Sequence, residues 1–315
     1  MTTKPYVILI ALALLVPGVA LQASPAAAAE KTKVVATFSI LGDLVAQVGG
    51  DRIDVSTLVD PDGDAHVYSP TPADAKTVKG AKLVFVNGLG FEGWIDRLIK
   101  ASGTTAAITV ASKGVTPIEG EEEDGEHEKA EAKKDGAKQV HYDPHAWQSV
   151  ANAKLYVANI RDALLAADAD GKAAYEANAT AYLAKLDEVE KEVKDAIAKI
   201  PADRRKVITS HDAFTYFAKD YGMAFIAPQG VSTESEASAK DVAKIIRQIK
   251  AEKIPAVFIE NISDSRLIER IAKETGAKIG DKVYSDALSR PDGPAATYVD
   301  MMRHNIKAFA TALTS

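Results

Sequence analysis

The sequence predicts an α/β protein of two similar lobes, each a parallel sheet flanked by helices, joined by one long rigid helix. Three observations lead there. Short apolar runs alternate with amphipathic ones over residues 33–112, the pattern of parallel strands connected by helices. The same alternation resumes at residue 206. Between them lies an Ala-, Lys- and Glu-rich segment with helical spacing, much longer than the ~11–12 residues of a mean helix.

In chain order, residues 1–29 come off first. Lys4, the apolar stretch over 6–21 and the small-residue run ending Ala27-Ala28-Ala29 have the layout of a cleavable secretory signal peptide. The apolar stretch is shorter than the ~20 residues a spanning helix needs. The first lobe is expected over 30–168. Its strands are KVVATFS (33–39), RIDVSTLV (52–59), KLVFVNG (82–88) and AAITVAS (106–112); helices at 41–50, 73–81, 93–102 and 152–169 connect or follow them. Residues 119–140 hold almost nothing that could be buried and predict a charged surface loop. The connecting helix falls within 169–201 and is stopped by Pro201. The second lobe, 202–315, should carry strands at 206–210, 223–229, 256–261 and 282–288. Its helices should lie at 212–222, 240–253, 265–276 and from about 295.

Composition narrows the chemistry. Lys and Arg number 38 against 44 acids, and the one early lysine leaves with the signal, so the exported chain is acidic and has no basic stripe for nucleic acid. The sequence contains no cysteine. That removes disulfides, thiolate metal sites and the lipid attachment of a lipoprotein, and leaves imidazole and oxygen as metal donors. A soluble, monomeric periplasmic protein is expected.

The six histidines are His66, His127, His141, His145, His211 and His304. His66, His145 and His211 fall in loops between predicted elements and just before helices, where ligands of open parallel sheets bind. Singly, each could cap a helix or face water. Three such histidines spread over both lobes point instead to one shared site for a zinc-like ion. Asp286, after the last predicted strand, could supply an oxygen or could be a turn aspartate. In HYDPHAW, Pro144 stiffens the turn that presents His145. Asp143 and Asp64 could orient an imidazole or simply form turns. His127 and His141 belong to the charged loop, His304 to a helix surface, and Glu260 reads as a structural hydrogen-bonding acid. The motif GLGFEG (88–93) imitates a dinucleotide-binding loop but lacks a placed acidic ribose partner. Nucleophile-elbow, phosphate-loop and HExxH signatures are absent.

The motifs DAHVYSPTPAD, YDPHAW, SHDAFTYFAKDYG, ENISDSR and VYSDAL, in this order, resemble the solute-binding proteins of ATP-driven bacterial zinc and manganese importers. The resemblance spans nearly the whole chain after residue 29. It implies a metal held in the cleft between the lobes by His66 and His145 from the first and His211 and Asp286 from the second. Manganese-preferring members tend to carry glutamate where this chain has His211, so zinc is the expected cargo and manganese the alternative. It also implies a membrane permease of an ABC transporter as partner, and no catalysis. Two features depart from the pattern: the loop before DPH is acidic and lysine-rich rather than crowded with histidines, and a disulfide found in some relatives cannot form. A zinc-dependent hydrolase and a surface adhesin are the rival readings, and the sequence supplies neither a general base with a substrate pocket nor repeats.

Overall fold

The computed structural model describes residues 2, 30–120 and 140–314. The expected signal peptide apart from Thr2, most of the charged loop, and His127 lie outside them. In the first lobe the apolar runs become β1 (Thr32–Phe38), β2 (Ile53–Val59), β3 (Leu83–Val86) and β4 (Ala107–Val110). They pair in parallel in the order β2-β1-β3-β4. The central strand β1 buries Val34, Val35, Ala36, Thr37 and Phe38 in succession, because helices cover both faces of a parallel sheet. Helices α1 (Ser39–Gly49), α2 (Pro72–Gly80) and α3 (Ile95–Ser102) make the crossovers. Thr71 and Asp74 satisfy each other's backbone N–H at the start of α2, with Pro72 at its first position, which fixes where the His66 loop ends.

Helix α4 (Val150–Ala167) and the 27-residue α5 (Lys172–Ala198) follow. Along α5 the buried residues are Tyr175, Ala179, Tyr182, Leu186, Val189, Val193 and Ile197, a three- and four-residue spacing that puts one stripe inward. Its outer face carries Lys191–Asp195 and Lys194–Glu190 pairs one turn apart.

The second lobe repeats the plan: β5 (Lys206–Ile208), α6 (Thr215–Tyr221), β6 (Ala224–Ile226), α7 (Ala239–Glu252), β7 (Ala256–Val257), α8 (Ser265–Thr275), β8 (Lys278–Ile279) and α9 (Tyr298–Thr314). Its parallel order, β6-β5-β7-β8, is that of the first sheet. The long helix packs on α1 and α4 from the first half of the chain and on α9 from the end, and so bridges the two. Phe309 of α9 meets Phe225 and Phe258 at ring distances of 5.4 and 5.0 Å, while Ile245, Ile249, Ile268 and Ile271 fill the other side of the second sheet. Among the described residues no helix is long and apolar enough to cross a membrane.

The second lobe's strands are shorter than the sequence suggested, and the last one sits at Lys278–Ile279 rather than 282–288. At the end of β5 the reason is competition for backbone donors. Past β5, the N–H groups of Ser210 and His211 donate to Glu260 Oε1 at 2.7 and 2.9 Å instead of to a neighbouring strand. Pairing survives there as single bridges, His211 with Gln229 and Glu260 with Val283. Helix α6 begins at Thr215, three residues late, and α9 begins at Tyr298 because Thr297 caps it through the Asp300 N–H.

Leu186 is fully buried on the bridging helix. Leu186→Ala is expected to lower unfolding free energy by ~2–5 kcal/mol, read from the urea midpoint.

Candidate metal centre

Four side chains reach one point from four connections. His66 sits in the loop from β2 to α2. His145 precedes a 3-10 turn, Ala146–Gln148, that leads into α4. His211 follows β5, and Asp286 follows the Val283 bridge. One donor atom from each lies within 4.8 Å of every other, and all four residues are buried, His66 at 7% exposure and the rest at 1% or less.

The pair distances have a common scale. Nε2 of His145 is 3.3 Å from Nε2 of His66 and 3.4 Å from Nε2 of His211. Asp286 Oδ2 is 3.2 Å from His66 Nε2 and 3.1 Å from His211 Nε2, and Oδ1 is 3.4 Å from His145 Nε2. A tetrahedron with metal–donor bonds of about 2.0–2.1 Å has edges of about 3.3–3.4 Å. Counting the nearer Asp286 oxygen for each imidazole, five of the six donor pairs lie near those edges, and all four donors lie within 4.8 Å of one another, a spacing that one small divalent cation could span. Asp286 Oδ1 has no hydrogen-bond donor despite its burial, as a cation-facing acceptor would.

Two further carboxylates set the imidazole tautomers. Asp143 Oδ1 lies 2.8 Å from His145 Nδ1 and also accepts the His145 backbone N–H at 2.8 Å. Glu260 Oε2 lies 2.6 Å from His211 Nδ1. A carboxylate facing Nδ1 keeps the proton there and turns the Nε2 lone pair toward the cluster. Asp143 thus orients a ring and forms the turn at once. Asp64 forms the turn, accepting the His66 N–H at 2.9 Å, and its other oxygen accepts Thr233 Oγ1 at 2.6 Å from the second lobe. Sequence reasoning gave Glu260 a structural role and missed its contact with His211; its place at the end of VFIEN was the available signal.

Burial alone would lower the basicity of His145, but the Asp286 and Asp143 carboxylates reverse this and raise its pKa to about 9. His211 is likewise pulled down by burial and carried well above its ordinary value by Glu260 and Asp286. Burial pushes Asp286 up, and the two facing imidazoles hold it well below the usual carboxylate range.

Neither of the other described histidines belongs to this cluster. His304 is a surface residue whose Nε2 donates to the Lys282 carbonyl at 2.7 Å, and His141 lies exposed at the base of the charged segment. Direct bonds close the lobes over the cluster: Trp147 Nε1 and Gln148 Nε2 donate to the Ser285 carbonyl at 2.9 and 2.7 Å, and the Leu288 N–H donates to Ser39 Oγ at 2.9 Å.

A two-lobed α/β chain with a buried cluster of three imidazoles and one carboxylate at the lobe junction belongs to the class of cation-binding proteins. Comparison with known proteins narrows the class. Residues 34–312 match the family described as zinc-uptake complex component A, periplasmic. The chain is 33% identical over 285 residues to the manganese-binding lipoprotein MntA of Halalkalibacterium halodurans, covering 90% of this chain and 89% of that one. It resembles the solved manganese-bound periplasmic metal binding protein of Candidatus Liberibacter asiaticus, with a TM-score of 0.78 and 31% identity over 90% of this chain and all of that one. It also resembles the periplasmic zinc binding protein TroA of Treponema pallidum, with a TM-score of 0.81 and 27% identity over 91% of this chain and all of that one. The chain belongs to this family of periplasmic metal-binding components of ABC importers, which are solute-binding proteins and not enzymes.

Metal uptake at such a cluster must displace protons held by raised imidazoles. Below pH 9 His145 carries one in the metal-free site, so apparent affinity for a divalent cation should fall as pH drops from 9 toward 5. Calorimetry in buffers of different ionisation enthalpy at pH 7 should register proton release on binding.

Proposed function

We propose that the chain captures zinc in the periplasm and delivers it to the membrane permease of an ABC importer, holding the ion with His66, His145, His211 and Asp286. The observation that carries this reading is the convergence of those four buried donors from both halves of the chain. Residues 30–168 and 202–315 act as the two jaws, and 169–201 as the spacer that limits how far they move. The protein acts as a monomer after removal of residues 1–29, and without a lipid anchor, since its sequence offers no cysteine for lipid attachment.

Zinc is favoured by the donor set. Three neutral nitrogens and one carboxylate suit a borderline ion in a four-donor shell, whereas manganese favours a shell richer in oxygen. The family description also names zinc uptake. Manganese is the second reading, and it rests on the relatives named or solved with that ion. Because affinity order alone favours zinc over manganese in almost any such site, the ion loaded in the native compartment separates the two.

Protein purified from its own periplasm should carry about one zinc per chain by elemental analysis. Manganese in its place would favour the second reading. His211→Ala should weaken zinc binding by at least ~10–100-fold, the loss that attends even indirect disturbance of such sites. Unchanged calorimetric affinity would remove His211 from the ligand set.

A further inference from the structure

The segment 87–94, NGLGFEGW, supplies no donor to the cluster, yet it grips the chain one residue before each donor of the first lobe. Asn87 Nδ2 donates to the Pro144 carbonyl at 2.9 Å, immediately ahead of His145. Trp94 Nε1 donates to the Ala65 carbonyl at 2.8 Å, immediately ahead of His66. Between these anchors the ring of Phe91 stands edge-on to His66, with centroids 4.8 Å apart. One short loop therefore touches the backbone supports of both imidazoles.

That loop takes a course the chain would not adopt unaided. Gly88, Leu89 and Gly90 have φ of +87°, +57° and +84° in succession. Two of the glycines that imitate a dinucleotide fingerprint are serving a left-handed turn. Leu89 has no such freedom, so the turn must be held from outside.

Glu92 holds it. The residue is 5% exposed, and its Oε1 accepts the Asn87 N–H at 2.6 Å and Thr37 Oγ1 of β1 at 2.5 Å. Its Oε2 accepts the Gly88 N–H at 3.3 Å. The orientation of Asn87 is fixed in turn by Tyr156 of α4, whose hydroxyl donates to Asn87 Oδ1 at 2.6 Å. An apolar side chain at 92 would deprive the buried Asn87 N–H, the half-buried Gly88 N–H and the Thr37 hydroxyl of their acceptor. None of these groups belongs to the four-donor cluster, so the network is free to specialise in geometry.

We propose that Glu92 is a positioning residue for metal capture: by clamping the 87–94 loop to β1 it fixes the spacing and aim of His66 and His145. The proposal rests on the ligand assignment given under Proposed function. Its consequence is that the first lobe presents a rigid pair of nitrogens, and distortion of the loop shows in the coordination geometry before it shows in the fold.

The test uses the whole chain loaded with Zn2+ for affinity and with Co2+ for its d–d absorption, which reports coordination geometry. Glu92→Leu should bind Zn2+ ~10–100-fold more weakly and shift the Co2+ bands, with an unaltered far-ultraviolet circular dichroism spectrum. Glu92→Gln keeps an oxygen acceptor for Asn87 N–H and Thr37 and should recover both readouts to near wild type. Asn87→Ala removes the anchor on Pro144 while leaving Glu92 in place; it should reproduce the weakening and the band shift, and it decides the matter if Glu92→Leu does not fold. Wild-type affinity and bands in either folded variant would overturn the proposal, as would weakened binding with unshifted bands, or a Gln variant as impaired as Leu. Wild-type protein that binds neither ion would sink the ligand assignment and this proposal together; wild-type binding with unaffected variants would sink this proposal alone.

Discussion

Three imidazole nitrogens and a carboxylate gathered within 4.8 Å of one another in a buried space, with contacts as short as 3.1–3.4 Å, are the constraint around which the rest of the molecule is arranged. Facing lone pairs at that distance repel unless a proton or a cation lies between them. Burial sharpens the conflict, because it strips away the water that would otherwise screen it. The surroundings answer with two outer carboxylates: Asp143 and Glu260 fix the protons of His145 and His211 on the far side of each ring. The cluster is thus preorganised for a divalent ion, which must replace the protons that the raised imidazoles hold beside Asp286.

The architecture supplies the convergence. Two sheets with the same strand order send their connecting loops toward a shared junction, and the bridging helix keeps the halves in register. The segment after Val283 is tied to the first lobe through the Ser285 carbonyl and the Leu288 N–H, so Asp286 is delivered across the junction by backbone bonds rather than by its own side chain alone. In the second lobe the strands give up ladder bonds where Glu260 takes the Ser210 and His211 donors. Regular sheet is exchanged there for control of the backbone at His211.

Much of this was legible in the residues. The alternation of apolar runs fixes the parallel lobes, the Ala/Lys/Glu segment fixes the long helix, and three histidines in loops between elements stand out because so few histidines exist. Asp286 was different: a turn aspartate looks the same in sequence as a metal-facing one, and family resemblance selected it. Glu260 was legible as a structural hydrogen-bonding acid but not as a partner of His211, because the contact joins residues past two strand ends through space. The clamp formed by Glu92 was hidden for a similar reason, since its glycines imitate another motif and its acceptors serve loops far apart in the chain. The end of β5 was misjudged because side-chain competition for the Ser210 and His211 donors leaves no periodic trace.

The central claim is that these four side chains share one ion. A crystal of the zinc-loaded protein, measured on both sides of the zinc absorption edge, tests it directly. A single anomalous peak about 2.0–2.2 Å from Nε2 of His66, His145 and His211 and from a carboxylate oxygen of Asp286 is the expected result. A peak elsewhere, or one that leaves any of the four beyond bonding distance, would contradict the account.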